Sequence, residues 1–520
     1  MSRTLRRSFL LAGLCLTAVP RALLCQSASY EQLQTFSSLL NQIRVSYVDS
    51  VSYAELVHAA IDGVLASLDP HSRFERRVDA EREMAYQTGQ LAGTGIVLDA
   101  VDDAVTVLSV LPRSSGARAG VAAGDRLLAI NDTSIAGLSI GEASSRMIGE
   151  KGKKVRVLFE RGPRFDTDSI RVQLKFDNLE ARSVSATGML DATTGYLRLT
   201  GFYLSSAEEV EKALKELKGR GAKRTVFDLR GNPGGAVVAA VQIASLFLPD
   251  TTLVFRTEGR RRTANESYRT RKAGAFRDLP LLVLIDEGSA SASEALAGSL
   301  QDHDRAVLIG RRSFGKALMQ QAFPIPPQGD LVWLTTGRVV TPSGRVIQRS
   351  YRGLKAAQYY SFAGVSGLGQ DTLTVFRTDA GREVRGGGGI VPDIVLPAST
   401  ELPGWWGVAA DSGWYEAVAD SVAVLLPREP AARTRWLDAR AEWHSRLFEP
   451  FFNRVQTRLH VTASADTAVQ ALVSRVLARR VVEVRWGPEA ADAFYLRNSP
   501  DIRAAQGYWD RAPVLLSPPR

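Results

Sequence analysis

Between residues 195 and 310, short apolar runs alternate with helix-length patterns, and this alternation constrains the fold of the 520-residue chain more than anything else in it. Gly195-Tyr-Leu-Arg-Leu precedes a helical pattern around Ser206–Leu217, and Thr225-Val-Phe-Asp-Leu precedes one from about Ala236. Leu281-Leu-Val-Leu-Ile precedes a third from about Ser291, and Ala306-Val-Leu-Ile-Gly follows. Such alternation predicts a largely parallel sheet covered by helices. The segment is too short to account for the chain, because at about 150 residues per domain the length predicts three or four domains. Apolar residues make up 45% and charged residues 23%, which excludes a largely disordered chain.

The flanks differ in texture. From Tyr30, apolar residues recur at Leu33, Phe36, Leu40, Ile43 and Tyr47, and a second helix is expected from about Tyr53 to Leu68, stopping at Asp69-Pro70. From Gly93 to about Lys175, short alternating strands are interrupted by one helix with Ser139 and Glu142 as its capping box. Beyond Glu401 lie seven of the eight tryptophans, with helical patterns such as Ser464–Val482. The chain opens with Arg3, Arg6 and Arg7, followed by an apolar run from Phe9 to Val19 that is too short to span a bilayer. Small residues at Ser27 and Ala28 offer a cleavage site, so residues 1–27 are expected to be a signal peptide. The expected domains are an N-terminal helical region over 28–88, a β-rich module over 89–178, a strand-helix core over 179–400 and a C-terminal helical domain over 401–520. An exported protein of the periplasm or cell envelope, with no integral membrane segment after signal removal, is the expectation.

Composition removes several function classes. The net charge is +10, but no Lys/Arg block exceeds Arg260-Arg261-Arg262, which gives no footprint for nucleic acid. Five His and two Cys, with no Cys-x-x-Cys and no His-Glu-x-x-His, leave no metal site to propose. No cofactor is implied.

The chemistry concentrates in Asp286-Glu-Gly-Ser-Ala-Ser-Ala-Ser-Glu294, where an apolar strand ends, small residues turn the chain and a helix begins. A serine at that helix N-terminus lies where free N–H groups and the dipole favour negative charge. The next strand ends in Arg311-Arg-Ser-Phe-Gly-Lys316, and in a right-handed βαβ unit both loops emerge at the same carboxyl edge. Ser291 and Lys316 can therefore meet. His303 lies 12 residues beyond Ser291 on the same helix, about 18 Å away, beyond hydrogen-bond reach. Asp302 is about 16 Å away and is expected to brace the site without touching the serine. A desolvated, neutral Lys316 can act as the base. The alternative is a capping serine with a solvated lysine.

These residues carry a resemblance. Gly288-Ser-Ala-Ser-Ala-Ser-Glu294, Gln301-Asp302 and Phe314-Gly-Lys316 with Gln320 resemble the carboxyl-terminal processing peptidases, or tail-specific serine proteases. Asp228-Leu-Arg-Gly-Asn-Pro-Gly-Gly235, Leu65-Ala-Ser-Leu-Asp-Pro-His-Ser72 and Thr341-Pro-Ser-Gly-Arg345 support the match, which covers roughly residues 35 to 397. It implies a strand-helix protease core of the ClpP/crotonase-like type with an inserted PDZ domain. Ser291 would be the nucleophile, Lys316 the base and Gln320 the residue that holds the lysine. The N–H groups of Gly235 and Ala292 would form the oxyanion hole, with Gly234 the lesser candidate. Ala119–Ile130 and the capped helix carry the PDZ likeness, with Gly93-Thr94-Gly95-Ile96 as the loop that captures a substrate's C-terminal carboxylate. The resemblance gives no role to the residues after 400.

The sequence therefore predicts an exported serine endopeptidase that recognises protein or peptide C-termini through a PDZ domain and cleaves with a Ser-Lys dyad. A catalytically inactive PDZ scaffold on a protease fold is the competing class, opposed by intact Ser291, Lys316 and Gln320. A Ser-His-Asp esterase lacks its Gly-x-Ser-x-Gly and is opposed by the distance to His303.

Overall fold

The computed structural model describes residues 21–515, apart from residues 78, 82–83, 85–91, 102–103, 112–113, 123, 139, 162–167, 180–181, 273, 355, 361–373, 399, 401 and 462–465. The basic and apolar opening therefore lies outside the described residues, as does Ser139 of the expected capping box. The described residues form two compact units: those up to 75 with 322–334, and 76–321 with those from 335 onward. Among the described residues no helix is long and apolar enough to cross a membrane.

In the first unit, helix α1 spans Arg21–Ser46, starting upstream of the expected cleavage site, and α2 spans Tyr53–Ala66. Ser52 caps α2, and Glu55 returns a bond to the Ser52 N–H. The Asp69 carboxylate then accepts the N–H groups of His71 and Ser72, fixing the turn after the helix. Arg73–Glu75 pairs antiparallel with Leu331–Trp333.

The second unit begins with a β-rich module. Strands β1 (Ile96–Val101), β2 (Ala104–Val110), β3 (Arg126–Ile130), β4 (Lys154–Arg161) and β5 (Asp168–Lys175) lie in that order in one sheet, with β1 at an edge. Alternate residues of β4, namely Val155, Val157 and Phe159, face a core shared with Leu98, Val107, Leu127 and Leu174. Helix α3 (Ile140–Arg146) contributes Ala143 to that core and packs beside β1.

The main sheet contains β6 (Val184–Met189), β7 (Thr194–Leu199), β8 (Arg224–Asp228), β9 (Leu281–Ile285), β10 (Val307–Gly310) and β11 (Ile394–Val395). β6 pairs antiparallel with β7, and every later neighbour is parallel. The connecting helices are α4 (Ser206–Gly219), α5 (Val237–Phe247) and α6 (Ala292–Asp302). Because side chains alternate across a strand, Val283 and Ile285 face α5 and α6, whereas Leu282 and Leu284 face the other way. That second face is covered by the end of the chain: Leu496, Ile502, Ala505, Trp509 and Ala512 pack against Val226, Leu282, Leu284, Val307 and Ile309.

The helices after residue 400 also have a core of their own. Trp436, Trp443, Phe448, Phe451 and Phe452 surround Val473, Leu477 and Val481 of α7 (Thr467–Trp486). Trp443 Nε1 donates to Trp436 O at 2.9 Å, so this buried indole keeps a partner. From α7 the chain passes through α8 (Pro488–Asn498) and α9 (Pro500–Gln506) to reach the sheet.

Candidate active site

β9 and β10 are parallel neighbours, with Ile285 opposite Gly310, so the segments that follow them leave one edge of the sheet side by side. After β9 the chain turns sharply. Ser291 has φ 56° and ψ −114°, a conformation that side chains rarely adopt and that costs about 1–3 kcal/mol. The surroundings enforce it. Ser289 Oγ donates to Leu229 O, Ala290 N–H donates to Asn232 O, and Ser293 Oγ donates to the same carbonyl. These bonds lock the serine turn to the Gly-rich loop after β8.

That loop approaches as closely as backbone permits. A Cβ on Gly234 would lie 2.9 Å from Ser291 Cβ and from Ala292 N, so only glycine fits. The Gly234 N–H is committed to Asn232 Oδ1 at 2.9 Å. Gly235 has φ 137°, and a Cβ there would strike Phe202 O. Among the described residues, the N–H groups of Gly235 and Ala292 have no hydrogen-bond partner.

Glu294 joins the two loops and is fully buried. Its Oε2 accepts the Ser291 N–H at 2.9 Å and the Lys316 N–H at 2.8 Å. Its Oε1 accepts the Gly315 N–H at 2.7 Å and the Ser313 hydroxyl at 2.5 Å. Burial pushes the Glu294 carboxyl up to about 7, against the pull of these four donors. Sequence reasoning gave this glutamate no role. The signal was its place three residues after Ser291, where a first-turn carboxylate reaches back to the residue that opens the helix. Phe314 N–H donates to Ser289 O, a further tie between the loops.

Residues 193–356 match the peptidase family S41, and residues 106–161 match the PDZ domain. A carboxy-terminal-processing protease of Bartonella bacilliformis is 33% identical over 348 residues, covering 65% of this chain and 78% of the relative. The chain belongs to the carboxyl-terminal processing proteases. These are serine proteases of family S41. Relatives of the same description from Picosynechococcus and Synechocystis are 35% and 34% identical; the matches cover 55% and 57% of this chain and 69% of each relative.

The other expected residues of this carboxyl-terminal processing protease lie as follows. Lys316 is half-buried beside Ala317 and Leu318, just before the strand that carries Gln320. Gln320 Nε2 donates to Thr335 Oγ1 at 3.1 Å. Asp302 is at the far end of α6, where it pairs with the fully buried Arg345 and accepts the Ser343 N–H at 3.0 Å. Gln301 accepts from Arg345 at 2.9 Å and donates to Val391 O, which joins the Thr341–Arg345 segment to the glycine-rich run before Asp393. His303 is also at that end, with Nδ1 2.6 Å from Asp379 Oδ2 and Nε2 2.7 Å from Leu253 O. Eleven helical residues, about 16 Å, separate this end from Ser291.

The carboxylate loop of the PDZ domain needs a correction. Thr94 N–H donates to Met147 O, and Gly93 bridges to Ile148, so both residues continue a short ladder beyond α3. The Thr94 N–H is therefore committed, and Gly93 is paired on its other side with Asp177. Gly95 and Ile96 remain. Leu111 N–H donates to Gly95 O, which places Ile96 opposite Val110 at a non-bonded position and directs its N–H toward the open edge of β1.

A group missed from the sequence lies behind the Gly-rich loop. Asp228 is fully buried and receives two guanidinium bonds from Arg230 and one from Tyr196 OH at 2.6 Å. Burial pushes its carboxyl up, but Arg230 prevails and holds it below the usual range. Among the described residues no group of three or more His, Cys, Asp or Glu converges as metal ligands.

Proposed function

We propose that this protease is an exported endopeptidase that takes substrates by their C-termini and cleaves them with Ser291 and Lys316. The carrying observation is the Glu294 carboxylate, which gathers the backbone of both residues onto one buried group. The neutral Lys316 amine takes the Ser291 proton as Oγ attacks the scissile carbonyl. The oxyanion of the tetrahedral intermediate accepts from Gly235 and Ala292, whose N–H groups lie beside the serine turn. On collapse the C–N bond breaks, and the lysine returns its proton to the leaving amine. Water, deprotonated by the same lysine, then attacks the acyl ester; the C–O bond to Ser291 breaks, and the lysine returns the proton to Ser291 Oγ. Gln320 holds the lysine from the strand that follows it. Asp302 acts from a distance, by bracing the Thr341–Arg345 segment.

Recognition of the tail is assigned to the edge of β1 beside α3. An extended peptide adds there as a strand, and its carboxylate meets the N–H groups of Gly95 and Ile96. Export is supported by Arg3, Arg6 and Arg7 followed by the apolar run to Val19. Treatment of the full-length protein with a fluorophosphonate, followed by peptide mapping, tests the nucleophile. The adduct is expected on Ser291 alone; modification of another serine, with Ser291 untouched, overturns the assignment.

A further inference from the structure

The family match ends at residue 356, yet a carboxylate near the end of the chain reaches both loops of the site. We propose that Asp501 is a positioning residue for catalysis: from α9 it ties the root of the Gly-rich loop to the root of the lysine loop. The inference rests on the Ser291–Lys316 reading above.

Asp501 Oδ2 accepts from Arg230 Nη1 at 2.7 Å and from Arg311 Nη2 at 2.9 Å. Arg230 immediately precedes Gly231, and Arg311 opens the segment that ends at Lys316. Both guanidiniums are nearly closed to solvent, with side chains 9% and 8% exposed, so the bridge is not screened like a surface pair. Arg230 keeps Asp228 and Tyr495 OH as further partners, and Arg311 keeps Glu287 and Pro397 O. Asp501 is the group that the two arginines share. Without it each arginine keeps only its own separate carboxylate, Asp228 or Glu287, and the loops they anchor lose a common reference.

The helix that presents Asp501 is held independently. Ile502 and Ala505 are buried against the sheet, so a change at Asp501 does not detach α9. Burial pushes the Asp501 carboxyl up, but Arg311 and Arg230 together hold it below the usual range, which keeps it ionised at neutral pH. The last helices thus serve the site twice, by closing the second face of the sheet and by fixing the relative position of two loops. Misplacement of reacting groups by about 1 Å costs on the order of a hundredfold in rate, and substrate binding at the PDZ edge is untouched by it.

The test uses the full chain with Asp501→Asn, Asp501→Glu and Ser291→Ala, assayed on an unfolded polypeptide substrate. Asp501→Asn is expected to lower kcat by about ten- to a hundredfold with KM nearly unchanged, and Asp501→Glu to recover part of the loss. The rate of fluorophosphonate labelling should fall in parallel. Arg311→Lys, which keeps the charge but loses the planar fork, should report the same direction if Asp501→Asn fails to fold. A folded Asp501→Asn or Arg311→Lys protein with undiminished kcat overturns the positioning role. So does a loss that only mirrors the unfolded fraction and is not relieved by glutamate. The Ser291→Ala protein keeps the two failures apart: if it still cleaves, the catalytic assignment is what falls.

Discussion

Glu294 holds Lys316 by its backbone, with Oε2 accepting the lysine N–H at 2.8 Å, and the same oxygen accepts the N–H of Ser291. A buried carboxylate with four donors is an anchor that an amide cannot replace, because an amide presents one acceptor oxygen where two are needed. Glu294→Gln should therefore lower kcat by about tenfold or more while leaving KM nearly unchanged. Steady-state kinetics on a peptide substrate decide this, and an unchanged kcat would refute the anchoring role.

The same carboxyl makes a stability prediction with a definite sign. Its value rises from 4.5 to about 7 on folding, so between these pH values the folded state binds more protons than the unfolded chain. Stability contributed by this group is thus present below about pH 4.5 and is lost as pH rises toward 7. Urea denaturation across that window should show a falling component in the wild type that Glu294→Gln lacks. Parallel pH dependence in the two proteins would contradict it.

The far end of α6 depends on a buried ion pair. Arg345 and Asp302 are both closed to solvent, so Arg345→Met leaves a buried carboxylate without its cation. The expected loss is about 3–5 kcal/mol, read as a lower urea midpoint, and Arg345→Met with Asp302→Asn should be less damaging than Arg345→Met alone. An unshifted midpoint would show that the pair is not structural.

At the PDZ edge, a Cβ on Gly95 would lie 2.2 Å from Ser114 Cβ, and Gly95 has φ 74°. Gly95→Ala should abolish capture of a peptide tail, and amidation of the peptide's C-terminus should weaken binding to the unaltered edge. Titration calorimetry on the full-length Ser291→Ala protein measures both. Equal affinity for acid and amide forms would exclude carboxylate recognition.

The parallel sheet was readable because strands buried on both faces appear as apolar runs, such as Leu281–Ile285, between helical periods. The neighbouring exits of Ser291 and Lys316 followed from βαβ handedness alone. Glu294 was hidden because a first-turn glutamate looks the same in sequence whether it caps a helix or gathers another loop. Asp501 lies 271 positions from Arg230 and 190 from Arg311, and no local pattern encodes a partner at that separation. The apolar face of the last helices was visible in sequence, but periodicity does not say what such a face covers. Thr94 was misassigned for a similar reason: its N–H is claimed by Met147 across a ladder that strand alternation does not reveal.

The Ser-Lys dyad is tested most directly by cleavage rates of Ser291→Ala, Lys316→Ala, their double mutant and His303→Ala, followed across pH. Lysine must be neutral to accept the serine proton, so wild-type activity should rise with pH, with the limb set by the lysine in the free enzyme. Ser291→Ala and Lys316→Ala should each lose nearly all turnover, and the double mutant should be little worse, because the two residues act as one unit. His303→Ala should still cleave, since its ring is bonded to Asp379 and Leu253 at the other end of α6. A folded Lys316→Ala protein that cleaves at the wild-type rate, beside an inactive His303→Ala, would contradict the account.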